Sequence, residues 1–335
     1  MPETAKPEKK KKRRMFKRLM AIAPLRWLVQ GYLWLLVQCV FSFGPAWAYF
    51  WARRIGFVMW LVLRKKRNMT LRNVDLCLPE LSEAERTRIA RKSFDHAIYA
   101  FFDMLLIPRV LGGERWKKYV EIGPDVLAYH KWALEGKGVI TISGHFGSWE
   151  VGAHVNSCHG FHQAALYRPL DLPIFDRWVR KMRAFSNIDA IEKEGGLRQM
   201  LRRQKDKQPL LALLDQYGGD DGFAAPFFGV PARWQSDIFR VLMRNGLKLG
   251  VSDTYRHGDK FKFTYRALAQ REFEPGAELV DVVKFYTEVM EKFIHEHPEQ
   301  YFWLHRRFKR KGGERDLYKD LSKRLTPETR AALLS

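Results

Sequence analysis

From Trp27 to Ala52 the chain carries no charged side chain, and Arg53 and Arg54 close the run. A helix of roughly 20 apolar residues spans a bilayer, so the pattern predicts a membrane-anchoring helical segment over 21–65. Gly44 and Pro45 interrupt it, because proline removes an amide donor and clashes with the preceding turn. The run then reads either as a kinked span or as a helical hairpin lying in the headgroup layer. A buried pair of core helices gives the same pattern. A cleaved leader fits less well, since no small-x-small site directly follows a compact apolar core.

Beyond Asn68 the pattern becomes amphipathic. Ser82 and Glu85 make a Ser-x-x-Glu cap ahead of apolar residues at helical spacing, which predicts one or two helices up to about Ile107. Strand and helix signals then alternate. The run 138–143 is apolar and β-branched, 161–167 and 209–214 read as further strands, and 173–185 and 197–204 read as helices. Alternation of this kind predicts an α/β domain with a mostly parallel central sheet flanked by helices, its site beyond the C-terminal ends of the strands. The expected division is a basic arm over 1–20, the hydrophobic membrane anchor over 21–65, the main domain over 66–318 and a C-terminal helical tail over 319–335.

Charge narrows the partners. With 59 basic against 37 acidic residues the formal net charge is +22, which implies a polyanionic neighbour: nucleic acid, an anionic membrane surface, a phosphorylated substrate or an acidic carrier. Eleven tryptophans and 23 phenylalanines favour the membrane, where aromatic rings and cations share the headgroup boundary. Cys39, Cys77 and Cys158 are few and far apart, without Cys-x-x-Cys spacing, and read as reduced structural thiols.

The candidate chemistry lies in Ile142-Ser-Gly-His-Phe-Gly-Ser-Trp-Glu150. His145 directly follows a buried strand, and Glu150 stands five positions on. On a continuous helix their side chains would point about 140° apart. If His145 sits in the turn before the helix, as Gly144 and Gly147 allow, Glu150 reaches one imidazole nitrogen and leaves the other to take a proton from a hydroxyl. A satisfied structural histidine is the plainer alternative. His154, His159 and His162 lie close by in sequence, but their spacing matches no familiar zinc pattern, and no metal is expected.

The same residues carry a resemblance. His145-x-x-x-x-Glu150 within GHFGSWE resembles the signature of the lysophospholipid acyltransferase superfamily, and the surrounding sequence is similar to its lipid A biosynthesis acyltransferase branch. Tyr167-Arg168-Pro169, Leu214-Asp215-Gln216, Ala225-Pro226-Phe227-Phe228-Gly229 and Trp303-Leu-His-Arg-Arg-Phe-Lys309 resemble further elements of that branch, in order, from about Asn68 to Lys309. Ser148 stands where the branch usually has Asn, and Ala232-Arg-Trp-Gln-Ser236 replaces its usual small and Thr residues.

The resemblance implies an O-acyltransferase at the cytoplasmic face of the inner membrane. It would move a fatty acyl chain from an acyl carrier protein or coenzyme A thioester to a hydroxyl of a membrane lipid, a lipid A precursor first and an ornithine lipid or other aminolipid as the alternative. The thioester is then a co-substrate and no cofactor is expected. His145 serves as base and Glu150 as its orienter. From the chemistry of the residues themselves, Arg168 either grips a phosphate or polarises the thioester carbonyl, or makes a structural ion pair. Asp215 and Gln216, after an apolar strand, either line the site, as the resemblance favours, or form a turn. Arg306, Arg307 and Lys309 either dock lipid phosphate or an acidic carrier or form a solvated charged face. Two rivals from other classes remain at this stage: a nucleic-acid-binding protein, for which no recognised motif is present, and a non-catalytic membrane scaffold.

Overall fold

The computed structural model describes residues 31–335, except 33, 36, 40, 137, 168, 170–172, 193–194, 236–242, 244–245, 311–315 and 335. The basic arm expected over 1–20 and the start of the expected anchor lie outside the described residues. The chain divides into a short first unit ending at Ala48 and a second, Tyr49–Ser335.

In the first unit the helical residues run to Phe41, and Gly44, at φ +82°, ends them before α1 (Pro45–Val62) begins. The break falls where glycine and proline predict it. Among the described residues no helix is long and apolar enough to cross a membrane. That corrects the spanning form of the anchor for these residues: the apolar run is cut at Gly44, and α1 carries Arg53 and Arg54 in its middle. On α1, Trp51, Phe57, Val58, Leu61 and Val62 remain exposed to solvent.

Two helices follow, α2 (Arg64–Cys77) and α3 (Glu83–Leu106). The predicted cap forms: Glu85 N–H donates to Ser82 Oγ at 3.3 Å, and Ser82 N–H donates back to Glu85 Oε2 at 3.0 Å. Such a box satisfies two orphan amides and is worth about 1 kcal/mol.

The seven-stranded sheet has the order β1-β9-β8-β2-β5-β3-β4. Its strands are β1 (Val120–Ile122), β2 (Val139–Ser143), β3 (Ala164–Tyr167), β4 (Asp189–Glu192), β5 (Leu210–Leu213), β8 (Leu247–Arg256) and β9 (Phe263–Phe273). β2 runs parallel to β5 and β8, β3 runs parallel to β5 and β4, and only the β8–β9 pairing is antiparallel. β2 is buried at every position, as an inner parallel strand covered on both faces must be. The sheet is flanked by α4 (Asp125–Leu134), α5 (Trp149–Cys158), α6 (Pro173–Phe185), α7 (Gly196–Lys205) and α8 (Leu279–Glu296), and α9 (Pro327–Leu334) closes the chain.

Two further pieces frame the site. The Pro-Phe-Phe-Gly element forms the hairpin of β6 (Phe223–Phe227) and β7 (Val230–Trp234), turning at Phe228 and Gly229, both at positive φ (53° and 66°). A turn of that hand suits the twist of paired strands but is unusual for phenylalanine. Phe228 is held in it from both sides: its N–H donates to Glu291 Oε1 at 2.6 Å and its carbonyl accepts from Arg330 at 3.3 Å.

The second piece is a buried charge cluster. Arg256, at the end of β8, is wholly buried and pairs with the equally buried Asp103 of α3. Its Nε donates to the Tyr49 hydroxyl at 3.0 Å, and the Tyr99 ring lies 4.8 Å from the guanidinium. One cation thus ties α1 and α3 to the sheet.

Candidate active site

The register of the sheet builds the site. Ser143 of β2 and Leu213 of β5 are partners on adjacent parallel strands, so residues two places beyond each emerge side by side. Those residues are His145 and Asp215. His145 Nδ1 lies 2.7 Å from Asp215 Oδ1, and the His145 N–H donates to Asp215 Oδ2 at 2.8 Å. One carboxylate thus grips both the ring and the backbone of the same histidine. Asp215 is 2% exposed, whereas the His145 side chain keeps 19% of its surface open, so the carboxylate is sealed and the imidazole can be approached.

Burial by itself would raise the Asp215 carboxyl, but the His145 ring and backbone, with Arg307 farther off, hold it below the usual carboxylate range. An ionised Asp215 accepts Nδ1–H, which leaves His145 Nε2 with its lone pair outward. Gln216 meets it there, its amide nitrogen 3.2 Å from Nε2.

The turn carrying His145 is fixed by later parts of the chain. Phe302 N–H donates to the His145 carbonyl at 2.9 Å, Gly147 N–H to Gln300 O at 3.0 Å and Ser148 N–H to Thr254 O at 3.1 Å. Gly147 takes φ +51°, and a Cβ there would stand 1.9 Å from the Thr254 carbonyl oxygen. Gln300 is clamped in turn, accepting from Arg256 N–H and donating to Arg256 O, both at 2.8 Å. Trp149 packs edge-on at 5.0 Å from the imidazole.

Glu150, expected to orient His145, is engaged elsewhere. It sits in the first turn of α5, 7% exposed, where Arg183 of α6 donates Nη2 to Oε1 at 2.6 Å and Nε to Oε2 at 3.4 Å. Both imidazole nitrogens meet Asp215 and Gln216 instead. The helix turns the Glu150 carboxylate toward α6, and two guanidinium bonds keep it there. The sequence marks Asp215 as a site residue but carries no local sign of this contact.

The three basic residues expected to form one docking face are separated. Arg306 is exposed and donates to both oxygens of Asp316 at 3.0 Å. Lys309 reaches Asp220 at 3.8 Å and the Tyr217 ring at 4.9 Å. Arg307 turns inward and is 3% exposed. Arg168 lies outside the described residues. His154, His159 and His162 have separate partners: Ser186 at 2.9 Å, the Trp116 ring at 5.0 Å and Asn187 at 2.7 Å. Cys39, Cys77 and Cys158 are free thiols.

His305 belongs to the site by position although no motif singled it out. Burial pushes its imidazole down to about 4, against the pull of Asp215. The folded protein therefore holds His305 neutral while an unfolded chain takes up a proton near pH 6.5. Its contribution to stability is complete above about pH 6.5 and declines as the pH falls from there to about 4. Denaturant midpoints followed across that window are expected to fall less steeply for His305→Asn than for the native chain, by up to about one proton in the linkage. Equal slopes would refute this.

The family described as bacterial lipid A biosynthesis acyltransferase matches residues 8–310. The lipid A biosynthesis palmitoleoyltransferase of Escherichia coli (strain K12) is 27% identical over 303 residues, covering 88% of this chain and 94% of that protein. The lipid A biosynthesis lauroyltransferase of the same organism is 26% identical over 296 residues, covering 85% and 91%. A lipid A biosynthesis acyltransferase of Haemophilus influenzae is 26% identical over 248 residues, covering 73% and 78%. With a histidine-aspartate pair at the mouth of a mostly parallel sheet, and a match along nearly the whole length, the chain belongs to the bacterial lipid A biosynthesis acyltransferases.

Proposed function

We propose that the protein transfers a fatty acyl chain from a thioester to a hydroxyl of a lipid A precursor, with His145 as general base and Asp215 as the residue that orients it. The observation that carries this reading is the paired grip of Asp215 on His145 Nδ1 and the His145 backbone N–H. It fixes the tautomer and aims Nε2 at the open side. A thioester is already activated, so the protein must align an alcohol, take its proton and stabilise the charge that develops. The hydroxyl oxygen attacks the carbonyl carbon as its proton passes to Nε2. Collapse expels the thiolate, which receives the proton from the imidazolium. Asp215 stabilises that imidazolium, the part an acid plays in a serine-protease triad, with the lipid hydroxyl in place of the serine.

Glu150 and Arg183 brace α5 against α6 and so hold the turn from behind. The donor is acyl carrier protein or coenzyme A, and the thioester is a co-substrate. The exposed aromatic and aliphatic side of α1, together with the net charge of +22, suits an anionic membrane surface. This supports work at the cytoplasmic face of the inner membrane.

The test is direct. Purified protein is incubated with an under-acylated lipid A precursor and lauroyl or palmitoleoyl thioesters of coenzyme A or acyl carrier protein, and the lipid is weighed by mass spectrometry. One added acyl chain is expected, and His145→Ala should slow its appearance by about 10²- to 10⁴-fold. No mass gain with the native protein, or equal rates from both proteins, refutes the proposal.

A further inference from the structure

Behind Asp215 and Gln216, the two residues that meet the His145 ring, is a narrow cavity whose lining also includes Tyr301, Phe302, His305 and Arg307. It has space for about one water-sized group, the size of a single oxygen and too small for a phosphate. Arg307 brings a buried cation to it. Its Nη1 donates to the Arg233 carbonyl at 2.7 Å, and its guanidinium lies 4.1 Å from the centre of the Trp234 ring. Its Nε and Nη2 are buried without a hydrogen-bond partner, and among the described residues no carboxylate is paired with it. A buried guanidinium with two unmet donors is costly to maintain, and such donors in a native site call for a ligand or a bound water.

Gln216 supplies the second donor. Its amide nitrogen rests 3.2 Å from His145 Nε2, the atom that must receive the substrate proton. A hydroxyl that engages Nε2 takes the amide's place, and the freed N–H remains within one hydrogen bond of the reacting atoms.

We propose that Gln216 and Arg307, which line one cavity with Asp215, form the oxyanion site: their N–H groups bind the carbonyl oxygen of the acyl thioester and hold it as it becomes negative. This rests on the acyl-transfer reading above. The hydroxyl oxygen donates the pair that makes the new C–O bond, and the carbonyl π pair moves onto the oxygen between the two donors. When that pair returns, the C–S bond breaks and the thiolate leaves with the proton held by His145. No further reactant is needed. Donors fixed in a water-excluded site stabilise such charge strongly because no reorganisation accompanies the reaction.

The experiment measures kcat and KM for lauroyl-coenzyme A and lauroyl-acyl carrier protein with the native protein, Arg307→Met, Arg307→Lys and Gln216→Glu, alongside thermal unfolding of each. Arg307→Met and Gln216→Glu should each lose about 10²- to 10³-fold in kcat, with KM for the thioester changing only a few-fold. Arg307→Lys should recover part of the loss. A second measurement compares binding of two unreactive coenzyme A analogues, one a ketone that keeps the carbonyl oxygen and one a thioether that lacks it. The native protein should prefer the ketone, and Arg307→Met should lose that preference. Acyl transfer by the native protein with undiminished kcat in Arg307→Met, or an unchanged ketone preference, overturns the assignment alone. A native protein that transfers nothing overturns the acyl-transfer reading with it.

Discussion

Replacing Asp215 by Asn should lower kcat by about 10⁴-fold, the scale seen when the orienting acid of a histidine base becomes an amide. An amide that turns its NH₂ toward Nδ1 holds the wrong tautomer, and one that turns its oxygen there no longer balances the imidazolium. Glu150→Gln should cost far less in kcat, because that carboxylate meets Arg183 and not the imidazole. The contrast is the point of the experiment: a larger loss at Glu150 than at Asp215 would return the orienting role to Glu150. Stability adds a second reading. The Asp215 carboxyl is held below the usual carboxylate range in the folded protein, so its contribution is present above about pH 3.9 and is lost as the pH falls through the folded value. The stability gap between the native chain and Asp215→Asn should therefore be widest near neutrality and shrink in acid.

Asp103→Ala should destabilise the protein by about 3–5 kcal/mol, because it strands the Arg256 cation with neither water nor a counter-charge. Arg256 and Asp103 are both fully buried, and the other neighbours, among them the Tyr49 hydroxyl, the His96 Nδ1 at 3.4 Å and the rings of Tyr99 and Phe263, carry no counter-charge. Urea midpoints would measure it. Pairing Asp103→Ala with Arg256→Met should restore much of the loss, since an apolar replacement of both partners removes the desolvation cost. A loss below about 1 kcal/mol for the single variant would mean that water reaches the guanidinium. Arg256 also clamps Gln300 through its backbone, so the variant should lose activity before it unfolds.

Much of this molecule was legible as local pattern. The Ser82–Glu85 cap, the β-branched run of β2 and the helices over 173–185 and near 197–204 each follow from a few adjacent residues. The turn at His145, between a buried strand and a helix, was equally readable. Its partner was not, because Glu150 is near in sequence while Asp215 is 70 residues away. The contact depends on β2 and β5 pairing in parallel, in one register. A trace of it was present all the same: His145 and Asp215 each stand two places past an apolar strand, which is what a shared mouth requires. The β8–β9 pairing carries a turn signal, Gly258-Asp259, with Gly258 at φ +57° and His257 N–H donating to Lys262 O at 2.8 Å, but the length and register of the pairing are set by neighbouring strands. The basic cluster at 306–309 reads as one surface in sequence, and contacts with β7, the Trp234 ring and the Arg233 carbonyl, hold Arg307 inward while Arg306 stays out.

The backbone at Gly147, Ser148 and His145 is shaped by Thr254, Gln300 and Phe302, and the ring by Asp215. All four lie downstream. During synthesis the base therefore emerges long before anything that can hold it, and a chain halted short of residue 302 has the histidine but no working geometry. Competence arrives late, with the final stretch of the domain, so a ribosome-bound fragment would stay silent until nearly the whole fold is present.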